Sequence, residues 1–246
     1  LFPRVGATGV FVINGLTYLF AIATLLAVHP PPVKAAEAAV QGWRRLVGGF
    51  AVARRDRVVG RCLLTIALLS FFCLPFIGLM PVVAGQNLGI DVDSAPYGWL
   101  YACFGLGAAT GAVSVGTVLV HRSKPRLVRL GLALFGLALL GFSLLRSVVP
   151  AYPVVFVVGL TYFTSVTALS THLQSNLGDA VRGRVMALWI MGFGGTVPLG
   201  TFLGGAIADR TNITTVVAGG AVCALLLAAF TNLQDRARQG TAPVLR

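Results

Sequence analysis

One stretch of this 246-residue chain gathers hydrogen-bonding side chains inside an otherwise apolar run. It holds Thr161, Tyr162, Thr164, Ser165, Thr167, Ser170 and Thr171, followed by His172, Gln174 and Asn176. At helical spacing Thr161 and Ser165 share a face. Their hydroxyls have two outlets: a solute in a water-accessible cavity, or the carbonyl of their own helix four residues back. So many hydroxyls on one helix favour the cavity, with Tyr162 beside them. A second constellation is aromatic. Pro75 and Pro81 interrupt an apolar run that also contains Phe71, Phe72 and Phe76. A proline inside a membrane helix frees a carbonyl and favours a kink. Phe72 and Phe76 at such a kink either line a cavity for a greasy solute or face lipid and core. The third is ionic. Arg182 and Arg184 follow Asp179 at the start of an apolar stretch, where a cation opposes the helix dipole unless a carboxylate offsets it. Downstream, Pro198 and Gly200 belong to a run punctuated by Gly192, Gly194, Gly195, Gly204 and Gly205.

Enzyme chemistry has no foothold in this pattern. The apolar stretches carry no Ser/His/Asp set and no metal-ligand cluster. Cys62, Cys73, Cys103 and Cys223 match no zinc spacing and read as small packing residues. No cofactor or metal is expected. No Asp, Glu, Lys or Arg lies deep in the last six apolar stretches. Buried membrane charges usually mark ion or proton paths. These stretches are therefore expected to hold neither a coupling carboxylate nor a grip on a charged solute.

The elements that must position these residues are membrane helices. Seven nearly charge-free stretches cover residues 5–28, 62–85, 97–120, 130–145, 151–171, 185–208 and 211–233. Crossing a bilayer takes roughly 20 apolar residues, and six of the seven reach that. The 130–145 stretch gains reach if Arg129 and Arg146 snorkel and the helix runs on to Val149. Charged residues make up 11% of the chain and hydrophobic ones 57%. Without water, backbone groups must pair within each segment, so the expected class is an all-α membrane bundle of about seven helices. The expected organisation is a helix at 1–28, a basic cytoplasmic loop at 29–61, a six-helix unit at 62–233 and a tail at 234–246. Pro30, Pro31 and Pro32 end the first helix. Residues 42–57 suit an amphipathic helix on the membrane surface, with Trp43, Leu46, Val47, Phe50 and Val58 on its apolar side, or a plain basic linker. Small residues four apart, Gly107/Gly111 and Gly200/Gly204, allow close helix approach.

The net charge of +12 is a topology signal. On one side of the alternating segments fall 16 of the 19 basic residues, in 34–61, 122–129, 182–184 and 236–246. Arg4, Arg146 and Arg210 fall on the other. The positive-inside rule assigns the 16 to the cytoplasm. This places the C-terminus inside and Asp91 outside, with Tyr97, Trp99 and Tyr101 in an outer aromatic belt. Nucleic acid is not an expected partner; a lipid bilayer and a small molecule are. The chain starts at Leu1 without a signal-peptide pattern. With an odd helix count, this suggests a C-terminal portion whose upstream half is missing.

Residues 179–188 (DAVRGRVMAL), running into 192–200 (GFGGTVPLG) and 204–210 (GGAIADR), resemble the major facilitator superfamily. They look like helix eleven and its preceding loop in drug and siderophore exporters, notably the enterobactin-exporter-like branch. Residues 11–19 (FVINGLTYL) resemble helix six of that branch. Trp43-Arg-Arg with 54–59 (RRDRVV) resembles its central loop, and Leu74-Pro75 through Met80-Pro81 its helix seven. The resemblance implies helices six to twelve of a twelve-helix, proton-coupled exporter in the plasma membrane. It makes the Pro75 helix and the hydroxyl-rich helix cavity-lining, and it gives Asp179, Arg182, Arg184, Pro75, Pro198 and Gly200 roles in conformational change. After Gly116 this chain carries His121, Arg122, Lys124 and Arg126 without the acidic residue of the family's loop motif. Two rival readings are a non-transporting membrane scaffold and a seven-helix receptor. A retinal protein would need a lysine within the membrane, whereas Lys34 and Lys124 lie in loops.

Overall fold

A computed structural model describes residues 2–27, 43–231 and 233. The chain forms two compact units, Leu1–Val40 and Gln41–Arg246. The first contributes helix α1 (Phe2–Ala27). Its hydroxyls are turned inward: Thr17 donates to the Asn14 carbonyl at 2.7 Å and Thr24 to that of Ala21 at 2.8 Å. Its apolar part, Phe11–Ala27, is shorter than the spans of the second unit. Pro30 to Pro32, Lys34 and the tail arginines lie outside the described residues.

In the second unit α2 (Trp43–Arg55) leads through Asp56 into α3 (Arg57–Phe72). The Asp56 carboxylate accepts from the Val58 and Val59 amides at 2.8 and 3.2 Å, which caps α3 and starts it at Arg57 rather than Cys62. Then follow α4 (Pro75–Gly78), α5 (Met80–Leu88), α6 (Ala95–Gly116), α7 (Lys124–Leu144) and α8 (Val148–Ser175). The last part comprises α9 (Asp179–Ile190), a π-helical turn at Met191–Gly195, α10 (Val197–Arg210) and α11 (Ile213–Phe230). No strand occurs among the described residues. Six helical runs are long and apolar enough to cross a membrane: Arg57–Gly78, Ala95–Gly116, Lys124–Leu144, Val148–Ser175, Val181–Arg210 and Ile213–Phe230.

Two expectations are corrected. The helix of the 130–145 stretch gains length at its basic start, from Lys124, and stops at Leu144 instead of reaching Val149. Pro125 fits that start because the first helical turn needs no N–H donors. Val149 instead belongs to α8, whose first turns also take in Pro150 and Pro153. The helix expected at 42–57 forms, but it packs against α9. A Cβ added to Gly49 would lie 2.9 Å from the Arg184 carbonyl, so α2 lies close on that helix. Phe50 is exposed and Val58 is buried in the core. The side chains of Trp43, Leu46 and Val47 lie outside the described residues.

Helix α8 is the centre of the packing, with α6 on one side and α7 on another; α7 in turn packs on α11. Glycine sets the α6–α8 distance. A Cβ on Gly107 would run into the Phe156 carbonyl, one on Gly111 into that of Leu160, and one on Gly159 into that of Phe104. Lipid tails are as apolar as leucine, so helices in a bilayer gain from close backbone approach rather than from burial. The Gly107/Gly111 pair does what its spacing suggests. We predict that Gly107→Ala or Gly159→Ala separates α6 from α8, costs about 1–3 kcal/mol and lowers the melting temperature in detergent. Gly105→Ala has open space around its Cβ and should be neutral or stabilising. Equal melting temperatures for all three variants would contradict this packing.

Candidate functional site

The chain's most unusual backbone lies where two interrupted helices meet. Pro75 has no N–H, so the carbonyl four residues back, Phe71, loses its helical donor. The α3 run ends there and resumes as α4, with Cys73 donating its amide to Leu69 at 2.9 Å and Ile77 its amide to Leu74 at 3.0 Å. Pro81 does the same to the Ile77 carbonyl, and α5 starts afresh at Met80. Both freed carbonyls are covered. Gly200 of α10 brings its backbone onto the Phe71 carbonyl: an added Cβ would collide with that oxygen and lie 2.9 Å from Pro75 Cγ. Tyr101 of α6 donates its hydroxyl to the Ile77 carbonyl at 3.1 Å. Gly220 of α11 lies against the Phe72 carbonyl, and the Cys73 thiol donates to the Gly220 carbonyl at 3.2 Å.

The partner helix is also interrupted. The π turn Met191–Gly195 separates α9 from α10, and Pro198 in the first turn of α10 removes the donor to Gly194. Thr196 donates its hydroxyl to Gly192 at 2.9 Å. Gly192 packs on Ile66 and Ala67, and Gly78 on Thr201. The π turn of one run thus packs on uninterrupted α3, and the Pro75 break of the other packs on uninterrupted α10. π turns of this kind recur at functional sites.

The expected cavity residues separate on this frame. Phe76 is buried at 2% exposure, edge-on to Phe104 with ring centres 5.8 Å apart and 6.5 Å from Phe135. Phe135 reaches Tyr162 at 5.3 Å, and Tyr162 reaches Phe163 at 5.3 Å. These rings close the interior between α4, α6, α7 and α8. Phe76 therefore lies in the core, one of the two places open to it from the sequence. Phe72 is 48% exposed, with its ring edge-on to Phe71 at 4.8 Å.

The hydroxyls of α8 take the second of their two outlets, the carbonyls of their own helix. Thr161 donates to the Val157 carbonyl at 2.7 Å, Thr164 to Leu160 at 2.7 Å and Ser165 to Thr161 at 2.8 Å. Thr161 and Ser165 are buried, and Ser165 Oγ sits where a Cβ on Gly131 of α7 would point. Their polarity is satisfied within α8, and their face packs on α7. Tyr162 differs. Its hydroxyl is buried beside that of Ser70 on α3, and among the described residues neither has a hydrogen-bond partner outside this pair. An unpaired buried hydroxyl costs about 1–3 kcal/mol, which a bridging water or solute would offset. Ser70 was not visible as a candidate: one serine in an apolar helix carries no pattern.

At the end where α9 begins, Arg182 pairs with Asp179 at 2.9 Å, with the two side chains 48% and 91% exposed. An exposed pair of this kind is worth about 0–1 kcal/mol. Arg184 takes a different course, lying along Gly48 of α2 with its Cδ and guanidinium 3.4 Å from an added Cβ. The ionic trio is thus split between a local pair and a helix–helix contact. His172 Nε2 lies 3.3 Å from the Leu233 carbonyl at the same end.

These contacts predict a labelling pattern. With the four native cysteines replaced, single cysteines at Thr161 and Ser165 should stay inert to a water-soluble maleimide in membranes. Rapid labelling that substrate blocks would show that this face opens to water.

No curated protein matches the chain. The family described as transmembrane secretion effector, a group of major facilitator transporters, matches residues 1–244 and so takes in all six spans with both interrupted runs. The all-α bundle with six membrane-length helices is consistent with this match, and the chain belongs to this family of the major facilitator superfamily.

Proposed function

We propose that residues 57–230 act as one six-helix half of an efflux transporter, exporting hydrophobic drugs or siderophore-like small molecules by proton antiport with alternating access. The observation that carries this reading is the contact between two discontinuous helices. Transporter sites near the bilayer midplane are typically built from broken helices, whose freed backbone allows bending. Here the Pro75 break and the 191–195 turn supply them, and the Gly200–Phe71 contact joins them. Pro75, Pro198 and Gly200 act as hinge residues. Phe72 is the exposed aromatic beside the break and the best-placed contact for a greasy solute. Tyr162 with Ser70 supplies a buried pair of hydroxyls with capacity for a polar solute. Arg182 and Asp179 help close the cytoplasmic end, and Arg184 ties α2 to α9.

The spans lack a deep carboxylate, so the coupling proton carrier belongs to a second half. On this reading residues 1–28 form helix six, residues 29–61 the central cytoplasmic loop with α2, and the tail is cytoplasmic in an enterobactin-exporter-like arrangement. In proteoliposomes, residues 1–246 alone should show no pH-driven flux of a hydrophobic dye. Co-reconstitution with a six-helix N-terminal half should restore saturable flux that an uncoupler abolishes. Saturable, gradient-driven flux from residues 1–246 alone would overturn the half-transporter reading.

A further inference from the structure

Where α5 and α7 end and α11 begins, a groove of 770 Å³ opens on the second unit. Its upper wall is polar, formed by Gln86, Asn87, Arg146 and Thr214, and its lower wall descends α11 along Gly219 and Val222. The Arg146 guanidinium is fixed there. It donates to the carbonyls of Ser143 and Leu145 at 2.9 and 2.8 Å and to the Thr214 hydroxyl at 3.0 Å. Asn87, itself 8% exposed, holds the same corner by donating to the Ser143 carbonyl at 3.3 Å and to Thr214 at 3.2 Å. All three Arg146 contacts are to neutral groups. The ion pair found among the described residues is Arg182–Asp179, so no described carboxylate neutralises Arg146. A snorkelling arginine needs only water around its head. This one is held by two helix ends and still presents an unmatched positive charge to the groove.

We propose that the groove binds an anionic phospholipid, with the phosphate on Arg146 and an acyl chain along Gly219 and Val222. Three observations select this occupant. The cation calls for an anion, and guanidinium–phosphate contacts are charge-assisted. The first turn of α11 faces the same corner and adds the favourable end of a helix dipole. The wall changes from polar to apolar along a membrane span, which suits an amphiphile; a free phosphate would use only its upper part.

Native mass spectrometry of the full chain in a neutral detergent tests this. The probes are phosphatidylglycerol, phosphatidylcholine with the same acyl chains, and inorganic phosphate. Phosphatidylglycerol should be retained over phosphatidylcholine. Arg146→Gln should weaken its retention about tenfold, and Arg146→Lys less, because lysine keeps the charge without the fork. Gly219→Leu, whose side chain enters open space, should weaken retention of phosphatidylglycerol while leaving the fold intact. Equal retention of the two lipids by the native chain would overturn the proposal. So would phosphatidylglycerol binding that survives both Arg146→Gln and Gly219→Leu. Displacement of the lipid by millimolar inorganic phosphate would identify a free-anion site and overturn the lipid assignment.

Discussion

A backbone carbonyl without a donor is the constraint around which this chain is arranged. In water such a group costs little, because solvent replaces the missing N–H. In a bilayer core no solvent is present, and each unsatisfied group costs several kcal/mol. Pro75 and Pro81 remove the helical donors of two carbonyls, Phe71 and Ile77, of which Ile77 keeps the Leu79 amide nearby. The neighbours answer differently. Tyr101 gives Ile77 a conventional hydrogen bond. Phe71 receives the bare backbone of Gly200, a Cα–H contact worth about 0.5–1 kcal/mol. The weaker cover falls at the break that also touches the second interrupted helix. On the proposed reading this break is a hinge, and a strong hydrogen bond there would resist the motion of alternating access.

The rest of the second unit divides by how firmly its helices are held. Helices α6, α7, α8 and α11 form a continuous glycine-spaced wall, with the Phe135 and Tyr162 rings filling its interior and threonine and serine hydroxyls folded back on their own helix. Against it lie the two broken runs. Their contacts are small side chains and backbone: Gly192 on Ala67, Gly78 on Thr201, Gly200 on Phe71. This contrast between a continuous wall and an interrupted pair follows from where proline and glycine fall in the sequence.

Much of this was legible before the structure. The break at Pro75 follows from proline chemistry and is found, whereas hydropathy suggested about seven spans and six are found among the described residues, the first stretch contributing only the shorter apolar helix Phe11–Ala27. The Gly107/Gly111 spacing correctly marks a close crossing. What failed were the side-chain directions. A hydroxyl-rich helix has the same composition whether its hydroxyls face water or their own carbonyls, so Thr161 and Ser165 could not be placed from sequence. Phe72 and Phe76 are one helical turn apart with the Pro75 break between them, yet one is exposed and the other is core. Tyr101 read as an aromatic at a membrane boundary, but its hydroxyl covers a carbonyl freed twenty-odd residues upstream. Such pairings join distant positions and leave no local trace.

The contact between Gly200 and Phe71 is the claim on which the hinge rests, and a single methyl group tests it. Gly200→Ala in the full transporter can be compared with Gly205→Ala, whose Cβ meets open space. Both should insert and express alike. Dye efflux should fall about tenfold for Gly200→Ala, about 1.4 kcal/mol from the lost contact together with the clash of the added methyl group on the Phe71 carbonyl, and stay near native for Gly205→Ala. Native efflux from Gly200→Ala, with insertion confirmed, would contradict the account.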